Sequence, residues 1–154
     1  MPARLDDMMY DTERMARICG DIDRYTRDLS LLSIHERRDL EDRKNFYALA
    51  MVLFSLMNAV IDLADELVSA RNAGMPSTYR EIFTLLVQDS VIDTREFEQM
   101  SRLVSYRNRL AHEYGAITPD DLMDALDMTE TIRIFVERAK RMVREEMSRS
   151  RGEN

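Results

Sequence analysis

The stretch FYALAMVLFSLMNAVI, residues 46–61, decides the fold. It is shorter than the ~20 apolar residues needed to cross a bilayer, and it leads directly into Asp62, Asp65 and Glu66. Such a segment reads as a buried central helix. Following the helical pattern outward extends it over roughly residues 40–71, to the sequence NAGMPS, where Gly74 and Pro76 break the periodicity. This helix is expected to be the spine of the molecule.

Upstream, Met15, Ile18, Ile22, Tyr25, Leu29 and Leu32 share one face of an amphipathic first helix that ends near Ser33. A polar junction, SIHERRD, joins it to the spine. Downstream, Thr78 followed by Glu81 is a capping-box pattern that starts a short third helix, and Asp93 with Glu96 repeats it to open a fourth. Gly115 offers a left-handed cap near the end of the fourth helix. Thr118 before Pro119 starts a fifth, expected to run to about Met147. Its later part, ERAKRMVREEMSRSR, mixes both signs of charge at helical spacing, the pattern of an exposed helix laced with ion pairs. Residues 148–154, SRSRGEN, are expected to fray. Neither a repeat nor a linker divides the chain, and its connections are short. One all-α domain over residues 1–147 follows, an antiparallel up-and-down bundle of about five helices.

Composition agrees. The 154 residues are 45% apolar and 33% charged, with 4 Gly and 3 Pro, which suits one helical globular domain. The 12 Met read as flexible core fillers, with an adaptable partner surface as the alternative. Cys19 is alone, so neither an internal disulfide nor a cysteine metal site can form. The N-terminal MPARLDDMMYDTERM carries acids and lacks the apolar region of a signal peptide, so a cytoplasmic protein without membrane association is expected. A net charge of −7 argues against a broad nucleic-acid-binding face and against DNA as a partner, while leaving room for a local basic cleft.

Such a cleft is suggested by RNRLAHEYG, residues 107–115. Met100, Leu103, Val104, Leu110 and Ala111 recur at helical steps, and Arg107 falls in the middle of their stripe. On an ideal helix Tyr114 returns to within about 20° of Arg107. An unpaired guanidinium in an apolar core is strongly unfavourable. Taken alone, Arg107 therefore reads as one half of an ion pair with Asp62 or Asp65. Its neighbours shift the reading toward chemistry. Asn108 lies four residues before His112 and is placed to orient the imidazole. Histidine can exchange a proton near neutral pH, and a guanidinium can hold phosphate through paired hydrogen bonds. Together they suit attack of a ribose 2′-hydroxyl on the adjacent phosphate, a reaction that requires no metal or other cofactor. On an ideal helix, however, Arg107 and His112 point about 140° apart. They converge only through the long arginine stem, through unwinding of the helix near His112, or, the preferred solution, in a two-fold dimer that brings two copies of each into one groove. Arg102 and Arg109, seven residues apart on the opposite face, are candidates to guide RNA. His35 reads as a solvated surface residue. Asp62 and Glu66 supply too few ligands for a metal site.

Arg107, Asn108, His112 and Tyr114 on the fourth helix resemble the R-x-x-x-x-H-x-Y signature of HepT toxins in the HEPN ribonuclease superfamily, and the resemblance covers most of the chain. It implies a HEPN-like five-helix fold, a two-fold dimer and a metal-independent ribonuclease cleft between protomers. It also implies a partner, a nucleotidyltransferase antitoxin of the MntA kind that attaches AMP to the signature tyrosine, here Tyr114. By the same analogy Arg107 stabilises phosphate, Asn108 orients, and His112 exchanges the proton. The alternative is a catalytically silent HEPN module that binds a nucleotidyltransferase.

Overall fold

In the computed structural model, which describes residues 9–152, the spine predicted from the apolar run is α2 (Arg43–Ala70). It is long and apolar enough to cross a membrane by length and composition, but half of its residues are buried within the bundle. Leu49, Leu53, Leu63 and Leu67 are fully covered, each burial being worth about 2 kcal/mol. Packed against α2 are α1 (Thr12–Leu32), α3 (Tyr79–Gln88) and α4 (Thr94–His112). The chain ends in α5 (Pro119–Leu126) and α6 (Thr129–Gly152), and short 3-10 turns occupy Arg37–Glu41 and Tyr114–Ala116. The described residues contain no strand.

The predicted start signals act as expected, with one variation. Thr78 and Asp93 each accept a backbone N–H three residues on, at 3.1 and 2.8 Å. Their glutamates do not complete the boxes. Glu81 turns back to the amide and hydroxyl of Ser77, while Glu96 pairs with Arg138 of α6 at 2.5 Å. Thr118 and Asp121 do form a reciprocal box, with Pro119 in the first helical turn. The spine's end is also built by left-handed geometry, since Asn72 has φ 48° and Gly74 has φ 142°. A side chain on Gly74 would meet Leu85 as well as strain the backbone.

Three helix ends differ from the sequence reading. The predicted fifth helix is divided between Leu126 and Thr129. There the Met128 amide bonds to the Ala125 carbonyl, tightening the last turn of α5 while Met128 is buried in the core. No proline or glycine marks that junction, so periodicity alone carries through it. The helix after it continues to Gly152, beyond the expected end near Met147, with the Arg133–Glu130 and Lys140–Glu137 pairs along its surface. Gly115 is not a left-handed cap, because α4 has already ended at His112, and Glu113 at φ −128° and ψ 39° turns the chain out of the helix.

Candidate active site

Arg107 lies, as the stripe requires, beside the buried Met100, Leu103, Val104 and Leu110 of α4. The expected ion pair with Asp62 or Asp65 is absent; among the described residues no carboxylate pairs with Arg107. Instead its Nε donates to the Asn58 side-chain oxygen at 2.8 Å and its Nη1 to that of Asn108 at 3.2 Å. The guanidinium also lies over the rings of Tyr79, 4.7 Å from the centroid, and Phe54, at 5.5 Å. Phe54 and Asn58 are one turn apart on α2, so one helix face supplies a ring and an amide to the same cation. Neutral partners fix its direction without cancelling its charge. Asp62 feels that charge at a distance: burial raises its carboxyl above the ordinary range, Arg14 and Arg107 pull it down, and Asp65 pushes it up.

Asn108 thus accepts from the arginine, and no hydrogen bond joins it to His112 among the described residues. It nevertheless shares a groove with His112. This open depression of about 620 Å³ is lined by Arg80, Ser101, Arg102, Asn108, Arg109, His112 and Glu113, among others. His112 is exposed at the last position of α4. A second depression of about 480 Å³, on the other side of Asn108, is lined by Asp65, Ser77, Thr78 and Tyr79. Neither lining includes Arg107, and α4 stays regular through His112. Within one protomer the arginine is turned toward α2 and the histidine toward the α3–α4 groove.

Tyr114 does not continue the helical stripe. It lies in the 3-10 turn after α4, stacked on Tyr47 of α2 at 6.1 Å between centroids and 19° between planes. Arg43 donates to the Tyr47 hydroxyl at 2.8 Å. Burial pushes the Tyr114 phenol above its ordinary value, Tyr47 adds to the shift and Arg43 opposes it. The phenol is thus neutral at physiological pH, and Tyr114 remains 41% exposed.

The two candidate guiding cations part company. Arg102 is exposed in the groove, whereas Arg109 is held by both oxygens of Asp121, at 2.9 and 3.1 Å, tying α4 to α5. Asp121 is held below the ordinary aspartate range by Arg109 and by the Thr118 amide. Because its folded value is depressed, its stabilising effect is present above the unfolded value and lost as pH falls through the folded one. Asp121→Asn is therefore expected to lower the Tm at pH 7, with the gap to wild type narrowing below about pH 4. An equal gap at both pH values, followed by circular dichroism, would assign the effect to shape rather than charge.

The sequence reading missed Asn58, Phe54 and Tyr79 around the arginine, and Arg80, Tyr47 and Arg43 nearby. An amide within the apolar run was the one available signal, since Asn58 interrupts a face that otherwise reads as core. His35 is exposed, and Glu66 is paired with Arg14 at 2.5 Å.

Fold and site define an all-helical protein whose fourth helix presents an arginine, an amide and a histidine, followed by a tyrosine on the next turn. The chain belongs to the ribonuclease HepT-like family, whose profile matches residues 15–142. A stretch of 62 residues is 31% identical to the mRNA nuclease HepT of Shewanella oneidensis, spanning 40% of this chain and about half, 47%, of that curated relative. The fold is similar to that of YutE, a cytosolic protein of unknown function from Bacillus subtilis, with a TM-score of 0.77, 18% identity and coverage of 90% of this chain and 94% of that one. It also matches a tri-AMPylated Shewanella oneidensis HEPN toxin solved in complex with an MNT antitoxin, with a TM-score of 0.76, 21% identity and coverage of 86% and 98%. The all-α, HEPN-like architecture expected from the sequence is thus the observed one.

Proposed function

We propose that this chain is a dimeric, metal-independent endoribonuclease of the cytoplasm, the toxin of a HepT/MntA-type pair, silenced by adenylylation of Tyr114. The observation that carries this reading is the half-buried Arg107, held by Asn58, Asn108 and two aromatic rings and, among the described residues, left without a carboxylate partner. A cation kept oriented and unneutralised is suited to a phosphate whose charge grows in the transition state. Membership in the ribonuclease HepT-like family supports the same chemistry.

In the proposed reaction His112 takes the proton of a ribose 2′-hydroxyl as its oxygen bonds to the adjacent phosphorus. Arg107 stabilises the charge that builds on the phosphoryl oxygens. The bond from phosphorus to the 5′-oxygen breaks, and that oxygen takes its proton from a water molecule, whose hydroxide the protonated His112 then neutralises. The products are a 2′,3′-cyclic phosphate and a 5′-hydroxyl. Dimerisation supplies what the separate directions of Arg107 and His112 deny a single protomer. The nucleotidyltransferase partner would add AMP to Tyr114, whose exposed ring adjoins the end of the catalytic helix. A bulky anion there would obstruct RNA and repel its phosphates. The AMPylated state of the similar Shewanella oneidensis toxin supports this regulation.

The purified chain, its intact mass first confirmed to be unmodified, should cleave cellular RNA in EDTA and leave cyclic-phosphate ends. No cleavage would favour the second reading, a silent HEPN module that binds a nucleotidyltransferase. That reading draws on the separation of Arg107 from His112 within the protomer and on the net charge of −7. Tyr114→Phe should stay active and escape silencing by the partner. Inhibition of that variant to the wild-type degree would remove Tyr114 from the mechanism.

A further inference from the structure

Arginines in this acidic chain are widely neutralised. Arg14, Arg37, Arg71, Arg109, Arg133 and Arg138 each meet a carboxylate on their own or a neighbouring element. The α3–α4 groove departs from that pattern. Arg80, from the first turn of α3, lines it opposite the α4 residues Arg102, Asn108 and His112. Its guanidinium rests against Phe97, 5.6 Å from the ring centroid, and no carboxylate pairs with it among the described residues. Glu81, the adjacent acid, is engaged by Ser77, and Arg109 is engaged by Asp121. Among the described residues Arg102 is also without a carboxylate partner, and the one carboxylate they place in the groove lining is Glu113, next to His112 at the groove's end.

We propose that Arg80 is an RNA phosphate-binding residue, which with Arg102 makes the α3–α4 groove the track along which a single strand reaches His112. The proposal rests on the ribonuclease reading and adds a residue outside the signature. Stacking on Phe97 directs the arginine as Tyr79 and Phe54 direct Arg107, so little side-chain freedom is lost when a phosphate binds. The guanidinium can then donate two parallel hydrogen bonds to phosphate oxygens. Arg80 acts on the strand beside the scissile linkage and takes no part in proton transfer.

The test uses a fluorescent single-stranded oligonucleotide whose 2′-hydroxyls are methylated, so that the nucleophile is absent and binding is separated from cleavage. Affinity is measured by anisotropy across a range of salt concentrations for wild type, Arg80→Gln and Arg80→Lys. Arg80→Gln is expected to weaken binding roughly tenfold, toward the lower end of what a hydrogen bond to a charged group is worth. Its slope of log affinity against log salt should fall by about 0.7, the value for one phosphate contact on a single strand. Arg80→Lys should keep the slope and recover most of the affinity, and the Tm of both variants should match wild type. An Arg80→Gln protein with wild-type affinity and slope would overturn the proposal even if the wild type cleaves RNA. Binding that depends on Arg80 in a protein that cleaves nothing would uphold it while the catalytic reading fails. Absence of wild-type binding, or equal displacement of the probe by polyglutamate, would remove RNA from the groove.

Discussion

His112→Ala is expected to reduce RNA cleavage about 10²–10⁴-fold, the range supplied by a positioned general acid–base group. The imidazole is exposed at the end of α4 and lies in the groove with Asn108 and Arg102, so its removal takes away a proton acceptor and leaves the core untouched. The Tm should accordingly stay close to wild type, and the variant should retain its affinity for the methylated oligonucleotide. Gel analysis of a labelled RNA under single-turnover conditions measures the chemical step. Cleavage within a few-fold of wild type would remove His112 from the mechanism.

Arg107→Gln should lower cleavage by about 10²–10³-fold, the cost of deleting one preorganised donor from a developing negative charge. Its effect on stability distinguishes two accounts of the same residue. Had Arg107 been half of a buried ion pair, its loss would have stranded a carboxylate at a cost of about 3–5 kcal/mol. The structure gives it neutral partners instead: Asn58 loses one hydrogen bond, and Tyr79 and Phe54 lose a cation. A destabilisation of about 1–2 kcal/mol follows. Urea denaturation beside the cleavage assay reads both quantities. A folded variant with wild-type cleavage would assign Arg107 to packing alone.

The fold was legible where local chemistry controls it. The apolar run named the central helix, and Thr78, Asp93 and Thr118 named three starts because an N-cap acts within four residues of itself. The division between α5 and α6 was not legible. Asp127 keeps right-handed helical geometry there, and neither proline nor glycine signals the change in direction. Extrapolating the α4 stripe to Tyr114 failed for a related reason, since the helix stops two residues earlier and Glu113 redirects the chain. Within the site, the residue types on α4 pointed to phosphoryl chemistry, yet the partners that hold them lie far off in sequence. Asn58 reaches Arg107 across 49 positions, and periodicity carries no record of such a contact. The bond between Arg109 and Asp121 spans only 12 positions, but it too depends on how α5 returns against α4.

The central claim is that Arg107 and His112 act together from different protomers. Subunit mixing tests it most directly. Arg107→Gln and His112→Ala proteins, each inactive alone, are dissociated together, allowed to reassociate and assayed with RNA in EDTA, with mixed dimers verified by native mass spectrometry. The account predicts that mixed dimers recover cleavage well above either parent, because one groove again pairs an intact Arg107 with an intact His112 from the other chain. Mixed dimers that form and remain as inactive as their parents would contradict it.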